Sequence, residues 1–360
     1  MRLSIDELLL EAQKRKASDL HLTVGVPPKI RVNGDLINLE QEALTPAEIE
    51  EIVLPMVPSR LAETLNTYGE VDFSYAIKNV GRFRVNLFRQ RGSYALVIRI
   101  IYTTIPSPEE LGIPESVQEL TKKKRGLILV TGPTGSGKST TLASLIDMIN
   151  TNSNSHIITL EDPIEYLHKH KNSIVNQREI GTDSLSFGNA LRVILREDPD
   201  VILIGDMRDY ETMKVAITAA ETGHLVLSSL HTSGAVNTIE RIVDVFPPHQ
   251  QQQIRVQLAT VLDGVISQQL IPSADGSSRV AAFEVMLSNP AIRSLIRDGK
   301  IHQISNYIQT SKKSGMKMMD EAIYELYLFG KITKEQALSF SVDVPAMEKK
   351  LFYYVKDDCM

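Results

Sequence analysis

The chain has 360 residues, enough for roughly two or three domains, and its 42% hydrophobic and 23% charged content is that of a folded, water-soluble protein, not a disordered one. A net charge of −5 argues against bulk electrostatic binding to nucleic acid, which needs clustered excess Lys and Arg. The single cysteine, Cys359, leaves neither a disulfide framework nor a CxxC zinc site within one chain.

The first nineteen residues place acidic side chains where a signal peptide needs an uninterrupted apolar core. No later run approaches about eighteen apolar residues. A cytosolic protein, at most peripheral to a membrane, is expected. Ile5 to Lys16 reads as a short amphipathic helix, with Ile5, Leu8, Leu9 and Ala12 at helical spacing. Extended segments follow. "KIRVNGDLINL" carries an Asn33-Gly34-Asp35 turn, "DFSYAIKNVGRFRVNLF" pauses at Asn79 and Gly81, and "RQRG" turns into "SYALVIRII". The expectation is a small antiparallel sheet with helices over residues 1–103.

"YTTIPSPEELGIPES" is rich in proline and turn formers and is the best linker, so a boundary is placed at 104–116. The basic run Lys122 to Arg125 reads first as a solvated connection. Beyond it the rhythm changes. "GLILVTG", "HIITLED", "VILIGD" and "HLVLSSLH" are short continuous apolar runs separated by helical patterns, as a parallel sheet buried between helices requires. Residues 117–287 are therefore expected to be an α/β domain. From 288 to 360 the pattern is helical, with Asn289 as an N-cap, Pro290 at the first helical position, and Ala291, Ile292, Leu295 and Ile296 on one face.

The run Gly132, Pro133, Thr134, Gly135, Ser136, Gly137, Lys138, Ser139, followed by Thr140, matches the full Walker A pattern between a strand and a helix. Its glycines let backbone N–H groups point at phosphate oxygens, and the helix N-terminus adds its positive end. Lys138 would reach the β and γ phosphates, and the Ser139 hydroxyl would bind Mg²⁺. The guanine-reading Asn-Lys-x-Asp motif is absent from the sequence, which favours ATP. Asp206 ends the apolar run Val201 to Ile204, where a Walker B acid belongs, a cap on the following helix being the lesser alternative.

Taken in order, "KASDLHLTVGVPPKIRVNGDL", the Walker A segment, "ITLEDPIEY", "LREDPDVILIGDMRD" and "AAETGHLVLSSLHT" resemble the secretion and pilus-motor ATPase superfamily over nearly the whole chain. "AIRSLIRD" is similar to the AIRNLIRE motif of its pilus retraction members, departing at Ser294 and Asp298. Assembly-type relatives tend to carry a tetracysteine zinc module, which this chain lacks the cysteines to build.

The resemblance implies a RecA-like P-loop ATPase domain after a small α+β, PAS-like N-terminal domain, with a helical C-terminal subdomain. It implies a homohexameric, ATP- and Mg²⁺-dependent motor on the cytoplasmic face of the inner membrane, acting on a pilus platform protein, without zinc or nucleic acid. An assembly or secretion motor is the nearer alternative, and a nucleic-acid translocase the more distant one. "ITLEDPIEY" is like the family's Asp box, which singles out Glu161 from its neighbours Asp162 and Glu165; on pattern alone they are an acidic helix start. Arg82 and Arg84 alternate with Phe83, Val85 and Leu87, which alone reads equally as a solvated strand face. The resemblance adds that Arg84 and Arg99 match N-terminal arginines placed near the phosphates. His224 and His231 bracket "LVLSSL", and the His-box likeness favours His231 as a γ-phosphate sensor. Arg293 and Arg297, four apart, repel slightly on one helix face, which reads as a solvated face or as a site paired from outside the helix; the motif likeness implies instead a role in coupling hydrolysis to movement. Where Asp206 stands the family usually has Glu, so the choice between Asp206 and Glu161 as the catalytic acid stays open.

Overall fold

The computed structural model describes residues 4–32, 34–77, 80–101 and 104–357. The turn residues Asn33 and Asn79, and Cys359, fall outside them. The chain forms two compact units, one running to Thr104 and taking in Glu165–Leu167, the other comprising Ile105–Ile164 and the residues from His168 on.

The first unit begins with helix α1 (Ile5–Lys14), opened by a capping box between Ser4 and Glu7. It ends two residues short of the expected Lys16, which takes a left-handed φ of 56°. Strands β1 (Asp19–Leu22), β2 (Lys29–Val32) and β3 (Asp35–Asn38) come next, then helices α2 (Pro46–Val53) and α3 (Ala62–Tyr68), and strands β4 (Glu70–Ile77), β5 (Gly81–Gln90) and β6 (Ser93–Ile101). The six strands are ordered β3-β2-β1-β6-β5-β4, with antiparallel pairing throughout. Leu8, Leu9 and Ala12 of α1, Ile49 and Val53 of α2 and Leu65 of α3 pack with Phe83, Val85 and Leu87 of β5 in one core. Strand alternation then leaves Arg82, Arg84 and Asn86 half-buried on the other face of the sheet.

The second unit runs α4 (Glu115–Gln118), β7 (Gly126–Thr131), α5 (Lys138–Asn152), β8 (His156–Glu161), β9 (Ile174–Glu179), α6 (Phe187–Ile194), β10 (Val201–Ile204), α7 (Tyr210–Glu221), β11 (Leu225–Leu230), α8 (Ala235–Asp244), α9 (Pro248–Val261), β12 (Leu262–Pro272) and β13 (Arg279–Leu287). Helices α10 (Pro290–Arg297), α11 (Ile304–Thr310), α12 (Met319–Leu328), α13 (Lys334–Phe340) and α14 (Val344–Asp357) follow. Its seven strands are ordered β13-β12-β7-β11-β10-β8-β9. The expectation of a parallel sheet needs one correction. β13 runs antiparallel to β12, because the connection from Pro272 to Arg279 is a short hairpin, and only a long crossover returns a chain parallel.

β7, β8, β10 and β11 are fully or almost fully buried apolar strands, as their sequences require. Edge strand β9, "IVNQRE", mixes polar and apolar residues and was not among the expected strands. The C-terminal helices divide between two hydrophobic clusters. Ile292 and Ile296 of α10 and Ile304 and Ile308 of α11 join the core beside the sheet, whereas Met319, Ala322 and Ile323 of α12 pack with Ala337, Met347 and Leu351 on Ile271 and Ala282 of the β12–β13 hairpin. Asn289 caps α10 by accepting the Ile292 N–H at 3.0 Å, with Pro290 at its first position. Among the described residues no helix is long and apolar enough to cross a membrane.

Candidate nucleotide site

Four parallel strands deliver their carboxyl ends to one edge of the second unit's sheet, where ligands of open α/β folds bind. The glycine-rich loop follows β7, Glu161 is the last residue of β8, Asp206 lies just past β10, and His231 lies just past β11. The loop 132–137 turns from β7 into the N-terminus of α5. Gly132 has φ +146°, and a Cβ there would stand 2.3 Å from the Gln268 carbonyl oxygen and 2.6 Å from Ser136 Oγ. Gly137 has φ +88°, and its Cβ would meet Gln268 Nε2 at 2.9 Å. Backbone conformation and close approach thus both demand glycine.

Lys138 is 8% exposed, and its ammonium donates to the carbonyls of Gly132 at 2.9 Å and Pro133 at 3.0 Å. It also lies 3.4 Å from His231 Nδ1, whose other ring nitrogen is 2.9 Å from Asp206 Oδ2. Arg208 Nε donates to the same oxygen at 2.5 Å, and this bond holds the guanidinium pKa above its ordinary value. Asp206 Oδ1 and Ser136 Oγ are buried without hydrogen-bond partners. Buried polar atoms are nearly always paired, so two orphans at one edge mark a place built for polar ligand atoms. The exposed backbone of Pro133 to Gly135, with α5 starting behind it, suits a phosphate chain.

Glu161 sits beside this group and is tied sideways. Its Oε1 accepts from Thr159 Oγ1 at 2.6 Å and from Gln177 Nε2 of β9 at 3.1 Å. Asp162 and Glu165 are exposed. His224 stands at the opposite, amino end of β11, its Nδ1 2.9 Å from the Ala219 carbonyl and 3.2 Å from Thr222 Oγ1, as a helix-end contact.

With this geometry in view, the comparisons are specific. The family described as "Type II/IV secretion system protein" matches residues 1–323. The type IV pilus retractation ATPase PilT of Pseudomonas aeruginosa is 46% identical over 335 residues, spanning 93% of this chain and 97% of that one. The type IV pilus ATPase PilU of the same organism is 42% identical over 337 residues, 94% and 88% of the two chains. The crystal structure of the pilus retraction motor PilT with bound ADP has a TM-score of 0.91 at 49% identity, covering 97% of this chain and 100% of that one. The chain belongs to the PilT-type secretion ATPases.

In this PilT-type ATPase the first unit carries Arg84 and Arg99 as cross-strand partners on β5 and β6. Arg84 Nε lies 3.8 Å from Asp72 Oδ1, and Arg99 Nε donates at 3.0 Å to Asp19 Oδ1, a carboxylate only 7% exposed. Arg293 finds the partner its helix lacks, with Nη2 3.6 Å from Asp263 Oδ1 on β12, while Arg297 pairs with the adjacent Asp298 at 3.6 Å. Lys123 of the basic run reaches Asp263 as well, at 3.6 Å.

Sequence reasoning passed over Arg208 and the β12 pair Ser267 and Gln268. Gln268 accepts from Thr141 of α5 at 2.7 Å and backs the glycine loop, and Ser267, on the other face of β12, accepts the Gly234 N–H at 2.9 Å. The quoted "GDMRD" held the only local hint, an arginine two residues from the acid. Nothing local marks Ser267 or Gln268.

Proposed function

We infer that this chain is an ATP-hydrolysing motor that retracts type IV pili. The observation that carries the reading is its likeness, over nearly all of both chains, to proteins described as pilus retraction ATPases, one of them solved with ADP.

The chemistry follows from the residues. N–H groups of Thr134 to Thr140 cradle the β and γ phosphates, and Lys138 leaves the Gly132 and Pro133 carbonyls to pair with them. Ser139 and Asp206 would hold Mg²⁺ through their side-chain oxygens. When bound, Mg²⁺ neutralises charge shared by the β and γ phosphates. Asp206 orients the attacking water through its unpartnered Oδ1, with Glu161 as the second candidate. His231, between Lys138 and Asp206, senses whether the γ-phosphate is present. Arg84 and Arg99 contribute positive charge from a PAS-like N-terminal domain, 1–103, which turns about the 104–116 segment relative to the 117–287 core and the 288–360 helices.

Six copies form a ring on the cytoplasmic face of the inner membrane and act on a pilus platform protein. Deleting the gene should leave cells with pili that no longer retract. Bald cells would move the output to pilus assembly, and ATP turnover stimulated by DNA or RNA would point to a translocase.

A further inference from the structure

Glu284, in the middle of β13, is 6% exposed and lies outside the nucleotide site. Its Oε1 accepts the N–H of Ala235, the first residue of α8, at 2.8 Å, and its Oε2 faces the N–H of Met319, the first residue of α12, at 3.4 Å. One carboxylate therefore answers orphan donors, and the partial positive charge, of two helix N-termini. Burial pushes its pKa up, and the two N–H groups draw it back. Its cross-strand partner Ser267 holds the N–H of Gly234, so the same strand pair clamps the loop leaving His231. Only Thr232 and Ser233 separate His231 from that clamp.

The two helices answer to different cores. Ala235, Ile239 and Ile242 of α8 pack beside the sheet, while Met319, Ala322 and Ile323 of α12 pack in the C-terminal cluster. A cleft of about 550 Å³ opens between them, with Asn237 of α8, Asp320 of α12 and Glu284 in its walls. The cleft gives the helices room to shift. The bond to α8 is short and the one to α12 is at the long limit, so a displacement of the His231 loop would carry Glu284 with α8 and make or break its hold on α12.

We propose that Glu284 is a positioning residue that passes the state of the nucleotide site, through the loop after His231 and the start of α8, to the C-terminal helices α12 to α14. The proposal rests on the reading of the site as an ATPase site.

Hydrogen exchange of the full-length protein, with and without Mg²⁺ and ADP, tests it. In the wild type, ADP should change protection both at 232–238 and in the first turn of α12, 319–323. Glu284→Gln keeps one acceptor oxygen and loses the charge; it should retain the response at 232–238, bind ADP with affinity within about threefold, and lose most of the α12 response, roughly tenfold in exchange rate. An α12 response of equal size in the variant overturns the proposal. If the variant does not fold, the wild type decides: ADP bound with no change at 319–323 overturns the coupling alone. A wild type that binds no ADP overturns the ATPase reading and the coupling with it.

Discussion

His231 bridges two functional groups, with Nε2 2.9 Å from Asp206 Oδ2 and Nδ1 3.4 Å from Lys138 Nζ. An ammonium only donates and a carboxylate only accepts, so hydrogen bonds to both neighbours require Nδ1 to accept from Lys138 and Nε2–H to donate to Asp206. On the proposed reading of the site, a Lys138 that turned to a phosphate would leave Nδ1 without its donor, and the ring would pass that change to Asp206. The start of α5 and the carboxyl ends of β10 and β11 are thereby linked through one ring.

Asp206 carries the clearest test. Its Oδ2 is held by Arg208 and His231, and Oδ1 is buried and unpartnered. Compared with the glutamate usual in the family it is one methylene short, a withdrawal on the order of 1 Å, and such misplacement can cost about a hundredfold in rate. Asp206→Glu should raise steady-state ATP turnover severalfold, and Asp206→Asn should reduce it by about a hundredfold while ADP still binds. Turnover unchanged or lowered by glutamate would mean the site is built for aspartate.

Lys138 rests on its own loop, so removing it should affect binding far more than folding. Lys138→Ala deletes a charge-assisted partner for the phosphates and should weaken ADP binding about a hundredfold or more by calorimetric titration. Its thermal midpoint should move by only a few degrees. Near-normal affinity would place the phosphates away from this loop.

What the sequence disclosed was what is locally determined. The glycine loop is legible because backbone conformation dictates Gly132 and Gly137, and β7, β10 and β11 because burial on both faces demands unbroken apolar runs. Asn289 and Pro290 announce α10 because capping is short-range. Gln268 meets Thr141 across 127 positions and Glu284 meets Ala235 across 49, and no pattern in either stretch records such a meeting. Edge strand β9 escaped notice because it mixes polar with apolar residues, and β12 because Asp263, Ser267, Gln268 and Gln269 interrupt its apolar run.

Two glycines of the loop should separate in cost. Gly132→Ala puts a Cβ against a carbonyl and a hydroxyl at φ +146° and should destabilise by roughly 2–4 kcal/mol. Gly135→Ala faces open space at φ +81° and should cost about 1–2 kcal/mol, the left-handed penalty alone. Denaturant midpoints of the two variants compare them directly, and equal losses would remove the packing of β12 behind the loop as the reason for Gly132.

His168 should make stability depend on pH. Burial, aided by Lys171 and opposed by Asp147, lowers its pKa to about 4, and its Nδ1 is enclosed without a partner. The folded state holds the ring neutral while the unfolded chain protonates near 6.5, so between pH 6.5 and 4 the unfolded state binds more protons and stability falls as pH falls. Allowing for partial exposure, the loss is about 1–3 kcal/mol across that window. His168→Gln has nothing to titrate, so its thermal midpoint relative to wild type should rise as pH drops from 7 to about 4.5. A difference between the two proteins that stays constant over that range would show that His168 protonates equally well in the folded chain.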